Sequence, residues 1–174
     1  MLVLNRTPEN IDKEETHKIV RGISRRAQIA YDYPDGHVEY DDIEDPLPFD
    51  LSAPVVEIAD EDYAVFYRDL SEDMEKYDGK TVKFKGIVAH DASLGDKAVL
   101  AGRHVMTCCA DDIAYHPLVC VFQAPTKLKT RDWTTLTGKL KLEKHKLYNG
   151  VGPVLYVTAS DFAVPPVQEV ATFY

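Results

Sequence analysis

No stretch of this sequence could cross a bilayer as a helix. Its longest apolar runs, such as PLVCVF at 117–122, fall far short of the roughly 20 residues that a span requires. The opening MLVLNRTPEN has neither the basic stretch nor the apolar core of a signal peptide, so nothing in it directs export. The chain is therefore expected to be cytoplasmic or membrane-peripheral, without inserting directly into a membrane.

Cysteine is scarce. Cys108, Cys109 and Cys120 make an odd set of three, which in the absence of an export signal excludes a disulfide framework and leaves reduced thiols as the default. Neighbouring cysteines could close only a strained vicinal ring. A Walker phosphate loop is also missing: Gly79-Lys80 follows a helical segment and not a strand, so the glycine reads as a helix end. No Ser/His/Asp set has a diagnostic context and no carboxylate pair stands out from the acidic background, so no catalytic residue is assigned. An excess of positive charge is lacking too. With 20 Lys/Arg against 29 Asp/Glu, a net −9, the chain repels phosphate backbones, and a nucleic acid would need a local patch.

What is present is enough for one core with an appendage: 174 residues, 45% of them hydrophobic. The acid is concentrated in the middle. Residues 1–30 hold six Lys/Arg and four Asp/Glu, residues 31–78 two and seventeen, and residues 79–174 twelve and eight. At the front, Thr7 suits a helix cap, Pro8 a first helical position and Glu9 the helix dipole. Ile19, Ile23, Ala27 and Ala30 follow at helical spacing, which predicts an amphipathic helix over about 8–30 that packs on the main domain or on a second copy. The proline- and acid-rich segment 31–54, with its turn signal PDG, reads as an irregular acidic linker that is either solvated or docked on the basic C-terminal part.

A short strand is expected at 55–58 and a leading helix over 60–77, capped by Asp60 or Asp62, with Tyr63, Phe66, Leu70 and Met74 on its core face. From residue 80 the pattern turns to alternation. KTVKFKGIVAH (80–90), RHVMTCCA (103–110), HPLVCVFQA (116–124), WTTLTGKLKLEK (133–144) and GPVLYVTASDFAVPP (152–166) read as five strands. Gly86 and Gly138 lie mid-strand, where they permit a bulge or a close backbone approach. The expected fold is mainly β with flanking helices: an OB-like small β-barrel over 55–174, preceded by the N-terminal helix and acidic linker of residues 1–54.

The segments VEIADEDYAVFYRDL, YDGKTVKFKGIVAH, RHVMTCCADD, DWTTLTGKL and PPVQEVATFY together resemble the C-terminal domain of the YcgQ-type family. The resemblance covers roughly residues 55–174. Its most specific elements are Tyr77 to Lys80, Arg103 with Cys108, Cys109, Ala110 and Asp112, and Trp133 with Gly138. Members of that family are bacterial membrane proteins of unknown function, described as candidate permease subunits and paired with a separate multi-span permease. They usually carry membrane helices before this domain, where residues 1–54 here are polar. The resemblance implies a membrane permease as partner and says nothing about a substrate.

The block RHVMTCCADD at 103–112 carries the candidate chemistry. Adjacent side chains on a regular strand point to opposite faces, so Cys108 and Cys109 can share an ion only if the chain turns there, and the aspartates favour such a turn. One reading is a metal centre of Cys108, Cys109, Asp112 and His104, with Met106 on the same face as His104 and His90 or His116 completing it. Such N/S/O donors suit zinc or a softer ion such as Cu(I). The other readings are buried structural cysteines and a redox or nucleophilic thiol at Cys109. Arg103 is expected to bind a carboxylate of the acidic segment or of CADD. Trp133 reads either as core or, with Lys139 and Lys141, as a base-stacking platform. The leading expectation is a non-enzymatic domain that binds a metal ion or a protein partner; the alternatives are a single-stranded nucleic-acid-binding barrel and a thiol-based redox protein.

Overall fold

The structure, a computed structural model, describes the backbone of residues 28–32 and 38–42 and all of residues 46–173. The described residues fall into two units, one holding residues 28–32 and 38–42 and one from Pro48 onward. In the first, β1 (Gln28–Asp32) pairs antiparallel with β2 (Val38–Asp42), Gln28 opposite Asp42 and Asp32 opposite Val38. This corrects two expectations. Residues 28–30 belong to a strand and not to the end of a helix, and the acidic segment contains a hairpin instead of being irregular throughout. The β-branched and aromatic residues Ile29, Tyr31, Val38 and Tyr40 favour extended backbone on both sides of the PDG signal. The rest of the expected N-terminal helix, 8–27, lies outside the described residues.

The second unit opens with β3 (Val56–Glu57) and the helix α1 (Tyr63–Glu72), followed by one 3-10 turn at Met74–Tyr77. The expected helix over 60–77 is thus broken at Asp73, whose φ of −140° lies outside the helical region. Asp62 occupies the N-cap position without a side-chain bond. As the spacing predicts, Tyr63, Phe66 and Leu70 are buried. They meet an aromatic cluster, with Phe66 5.7 Å from Tyr77 and Tyr63 5.6 Å from Phe84 between ring centroids. Edge and tilted contacts of this kind add to the burial of the rings.

The remaining strands are β4 (Thr81–Ala89), β5 (Ala98–Val105), β6 (Ala114–Val121), β7 (Trp133–His145), β8 (Gly150–Phe162) and β9 (Val170–Ala171). With β3 they form one seven-stranded sheet in the order β3-β4-β7-β8-β6-β5-β9. Because β4 also pairs with β5, five strands close a ring: β4-β7-β8-β6-β5 and back to β4. All its pairs are antiparallel except β6 with β8. Val82, Phe84, Val99, Leu118, Leu136, Leu140 and Leu155 are buried inside it.

Closing so small a ring forces backbones together where strands bend. An alanine Cβ at Gly86 would lie 2.9 Å from the Gly102 amide nitrogen, and one at Gly102 would lie 2.3 Å from the His116 carbonyl. The mid-strand Gly86 is thus a close backbone approach. Gly138 lies at a register shift in the β7–β8 ladder, where a Cβ would come 2.5 Å from the Tyr156 carbonyl. Tyr63 Oη donates to the His116 carbonyl at 2.7 Å, fastening α1 to β6 at the same crossing.

The C-terminal segment returns across the ring. β9 runs parallel to β5, His104 opposite Val170 and Val105 opposite Ala171, and the Met106 amide donates to the Ala171 carbonyl at 2.9 Å. The Arg68 guanidinium of α1 stands 4.8 Å from the centre of the Phe173 ring, so the returning segment also touches the helix.

Candidate metal centre

The strand expected over 103–110 ends early. β5 stops at Val105, residues 107–109 bend, and Ala110–Asp112 make a single 3-10 turn before β6 begins. The cause is the Asp112 carboxylate. Its Oδ1 accepts from the Thr107 amide at 3.0 Å and its Oδ2 from the Cys108 amide at 2.6 Å, so the side chain folds the backbone around itself. The Asp112 amide donates in return to the Cys109 carbonyl at 3.1 Å.

This turn brings the two thiols to the same side. Cys108 Sγ lies 3.7 Å from Cys109 Sγ, and the two sulfurs and an Asp112 carboxylate oxygen all lie within 4.8 Å of one another. Both cysteines are exposed, whereas Cys120 is fully buried in β6. The hydrogen bond from its thiol to Asp112, reinforced by the neighbouring Cys109, pushes Cys108 up to about 12, and the same bond holds Asp112 below the usual carboxylate range. Cys108 is therefore a thiol at neutral pH, and an ion that binds it must displace that proton.

The other expected residues lie elsewhere. His104 is outside the group: its ring packs on Tyr115, 5.3 Å between centroids. The alternation that placed His104, Met106 and Cys108 on one face stops where β5 stops. His90 binds the Leu128 carbonyl at 2.8 Å through Nε2. His116 is buried with its ring 4.9 Å from that of Tyr67. Burial, with a contribution from His104, lowers His116 from its ordinary 6.5. The unfolded chain then takes up a proton near pH 6.5 while the folded chain resists it. Stability should be full above that value and fall as the pH drops through it. Melting temperatures at pH 7.5 and 5.5 should show a larger acid loss in wild type than in His116→Gln; equal losses would contradict the assignment.

Arg103 is 1% exposed. Its guanidinium donates to the main-chain carbonyls of Asp60 and Gln168, and to that of Glu169 at 3.2 Å, with the Asp60 carboxylate 3.9 Å away. Among the described residues it thus binds backbone oxygens before α1 and in the returning segment, and not the expected carboxylate of residues 31–54 or of CADD. A cavity of about 350 Å³ opens beside it, lined by Asp60, Glu61 and residues of the returning segment. Trp133 is 9% exposed, and its ring lies 5.8 Å from the Arg103 guanidinium. What sequence reasoning missed is the part played by the Thr107 and Cys108 amides. The signal was an aspartate four and five positions downstream of them.

The class is thus a mainly β domain with a five-strand ring and an exposed Cys-Cys-Asp turn between two ring strands. The chain belongs to the DUF1980 C-terminal domain family, a domain of unknown function whose family model matches residues 39–170. No curated protein matches it. Among the described residues, no helix is long and apolar enough to cross a membrane.

Proposed function

We propose that this is a non-enzymatic OB-like binding domain whose Cys108–Cys109–Asp112 turn holds a zinc ion, or a related soft transition-metal ion, beside a membrane permease. The OB-like reading is supported by the ring itself. In chain order its strands pair first with second, second with third, third parallel with fifth, fifth with fourth and fourth with first, the closure of a five-stranded Greek-key barrel.

The observation that carries the metal reading is the sulfur spacing. Two thiolates about 2.3 Å from a tetrahedral zinc ion lie about 3.8 Å apart, and the two Sγ atoms stand 3.7 Å apart. The donor set points the same way. Two sulfurs select zinc or copper over magnesium or calcium, and a carboxylate oxygen in place of a third sulfur favours zinc over Cu(I). The amides that grip Asp112 act as outer-shell bonds that orient a ligand while leaving lone pairs free. The permease partner rests on the likeness to YcgQ-type proteins, and in this reading the domain works as a peripheral, non-inserted component.

The test is elemental analysis of untagged protein equilibrated with zinc and then dialysed without chelator, beside a Cys108→Ser, Cys109→Ser variant. Near one zinc per chain in the wild type and almost none in the variant is expected. Metal-free wild type would overturn the reading. A nucleic-acid platform is not favoured, because the buried Trp133 offers no face to a base.

A further inference from the structure

We infer that the metal centre is built with one open position, and that the missing ligand is an imidazole supplied by the protein that hands over or receives the ion. This rests on the metal reading above and goes beyond it to the chemistry of the partner.

The count of donors is the first argument. Among the described residues the group contains Cys108, Cys109 and Asp112 and no fourth donor. The nearby histidines lie outside the group: the His104 ring packs on Tyr115, and His116 is buried in β6. Zinc bound by thiolates, imidazoles and carboxylates is four-coordinate, and sites with three protein ligands keep the fourth place for an exchangeable one.

Accessibility is the second argument. Both cysteines are exposed and Asp112 is half-buried on a turn between two strands, so a ligand borne on another protein can approach without any rearrangement of the ring. A structural site would be enclosed.

Charge selects the donor. Two thiolates and a carboxylate carry three negative charges against the two positive charges of zinc, so the occupied turn is already anionic. A further thiolate would add a like charge, whereas a neutral imidazole adds none and is a good zinc donor. The acidic balance of the whole chain, net −9, works in the same direction.

The experiment uses the full chain loaded with one equivalent of Co(II), whose ligand-field bands report coordination. It is titrated with imidazole and, separately, with 2-mercaptoethanol, while a chelating dye monitors released metal. A band shift that saturates with one imidazole per cobalt, without metal release and at lower concentration than the thiol requires, is expected. The same shift in His104→Ala would show that the open place belongs to the three-ligand turn. Bands that ignore both donors in the wild type would overturn the inference; if His104→Ala then responds, His104 closes the site from within. A shift accompanied by metal release, or a stronger response to the thiol, would also overturn it. Failure of the protein to bind cobalt at all would instead remove the metal reading itself.

Discussion

Gly102→Ala is expected to lower the melting temperature by roughly 10 °C, or to leave the protein insoluble. The new Cβ would lie 2.3 Å from the His116 carbonyl oxygen, 2.4 Å from the Pro117 Cα and 2.7 Å from the Tyr63 hydroxyl. Two of these atoms are backbone in the core of the β5–β6 ladder, where Gly102 faces Pro117, so no side-chain rotation relieves the overlap. Moving the strands apart would also stretch the Tyr63 bond to the His116 carbonyl. Overpacking a tight core costs up to about 3 kcal/mol and sometimes more, and each kcal/mol moves the melting temperature of a domain this size by roughly 2–4 °C. Gly150→Ala is the control. Nothing lies within 4 Å of its Cβ, so its effect should stay within about 0.5 kcal/mol. If both variants melt alike, the close approach of β5 and β6 is not real.

Arg103→Met should cost about 2–3 kcal/mol, in the range for losing the hydrogen bonds of a buried charged donor. The methionine fills much of the space but leaves the Asp60, Gln168 and Glu169 carbonyls without their donor, and the returning segment loses its tie to the ring. The loss should also have a location. Residues 166–173 should become sensitive to protease, and the Met106 amide, bonded to Ala171, should exchange faster, before the five-strand ring opens. Arg103→Lys keeps the charge without the planar fork and should recover less than half of the stability. A methionine variant with wild-type denaturation midpoint and intact C-terminal protection would refute the role.

Much of this architecture was legible because burial imposes a period. The spacing of Tyr63, Phe66 and Leu70 marked the core face of α1, and four of the five alternating segments became ring strands, while the expected strand 103–110 overlaps β5 only at 103–105. Gly86 stood out as a glycine inside a strand pattern. Gly102, in a stretch with no clean alternation, did not, although its surroundings are tighter. The strand β9 was invisible for another reason: two residues carry no period, and it pairs with His104 and Val105 where β5 runs past its pairing with β4. The hairpin of β1 and β2 was hidden by its acidity, since Asp and Glu disfavour strands on average while backbone pairing depends on local register.

For the candidate centre, the residue types were legible and the geometry was not. Cys108, Cys109 and Asp112 could be named from the sequence, but a regular strand through residue 110 would have set the thiols on opposite faces. The outcome turned on which amides Asp112 captures, and capture by a side chain four or five residues away competes with strand pairing in a way that composition does not reveal. His104 was drawn into the set by the same assumption of a strand continuing past Val105.

The guanidinium clasp also sets an order of events during synthesis. Arg103 leaves the ribosome 65 and 66 residues before the carbonyls that receive it at Gln168 and Glu169, and β6 likewise waits for its parallel partner in β8. A nascent chain can zip β5 and β6 into a local hairpin early, with the cysteine turn at its tip, but it cannot bury Arg103 until the returning segment arrives. Burial of Arg103 therefore comes late. The Cys-Cys-Asp turn, by contrast, is shaped by its own short-range bonds, on a domain that is still open.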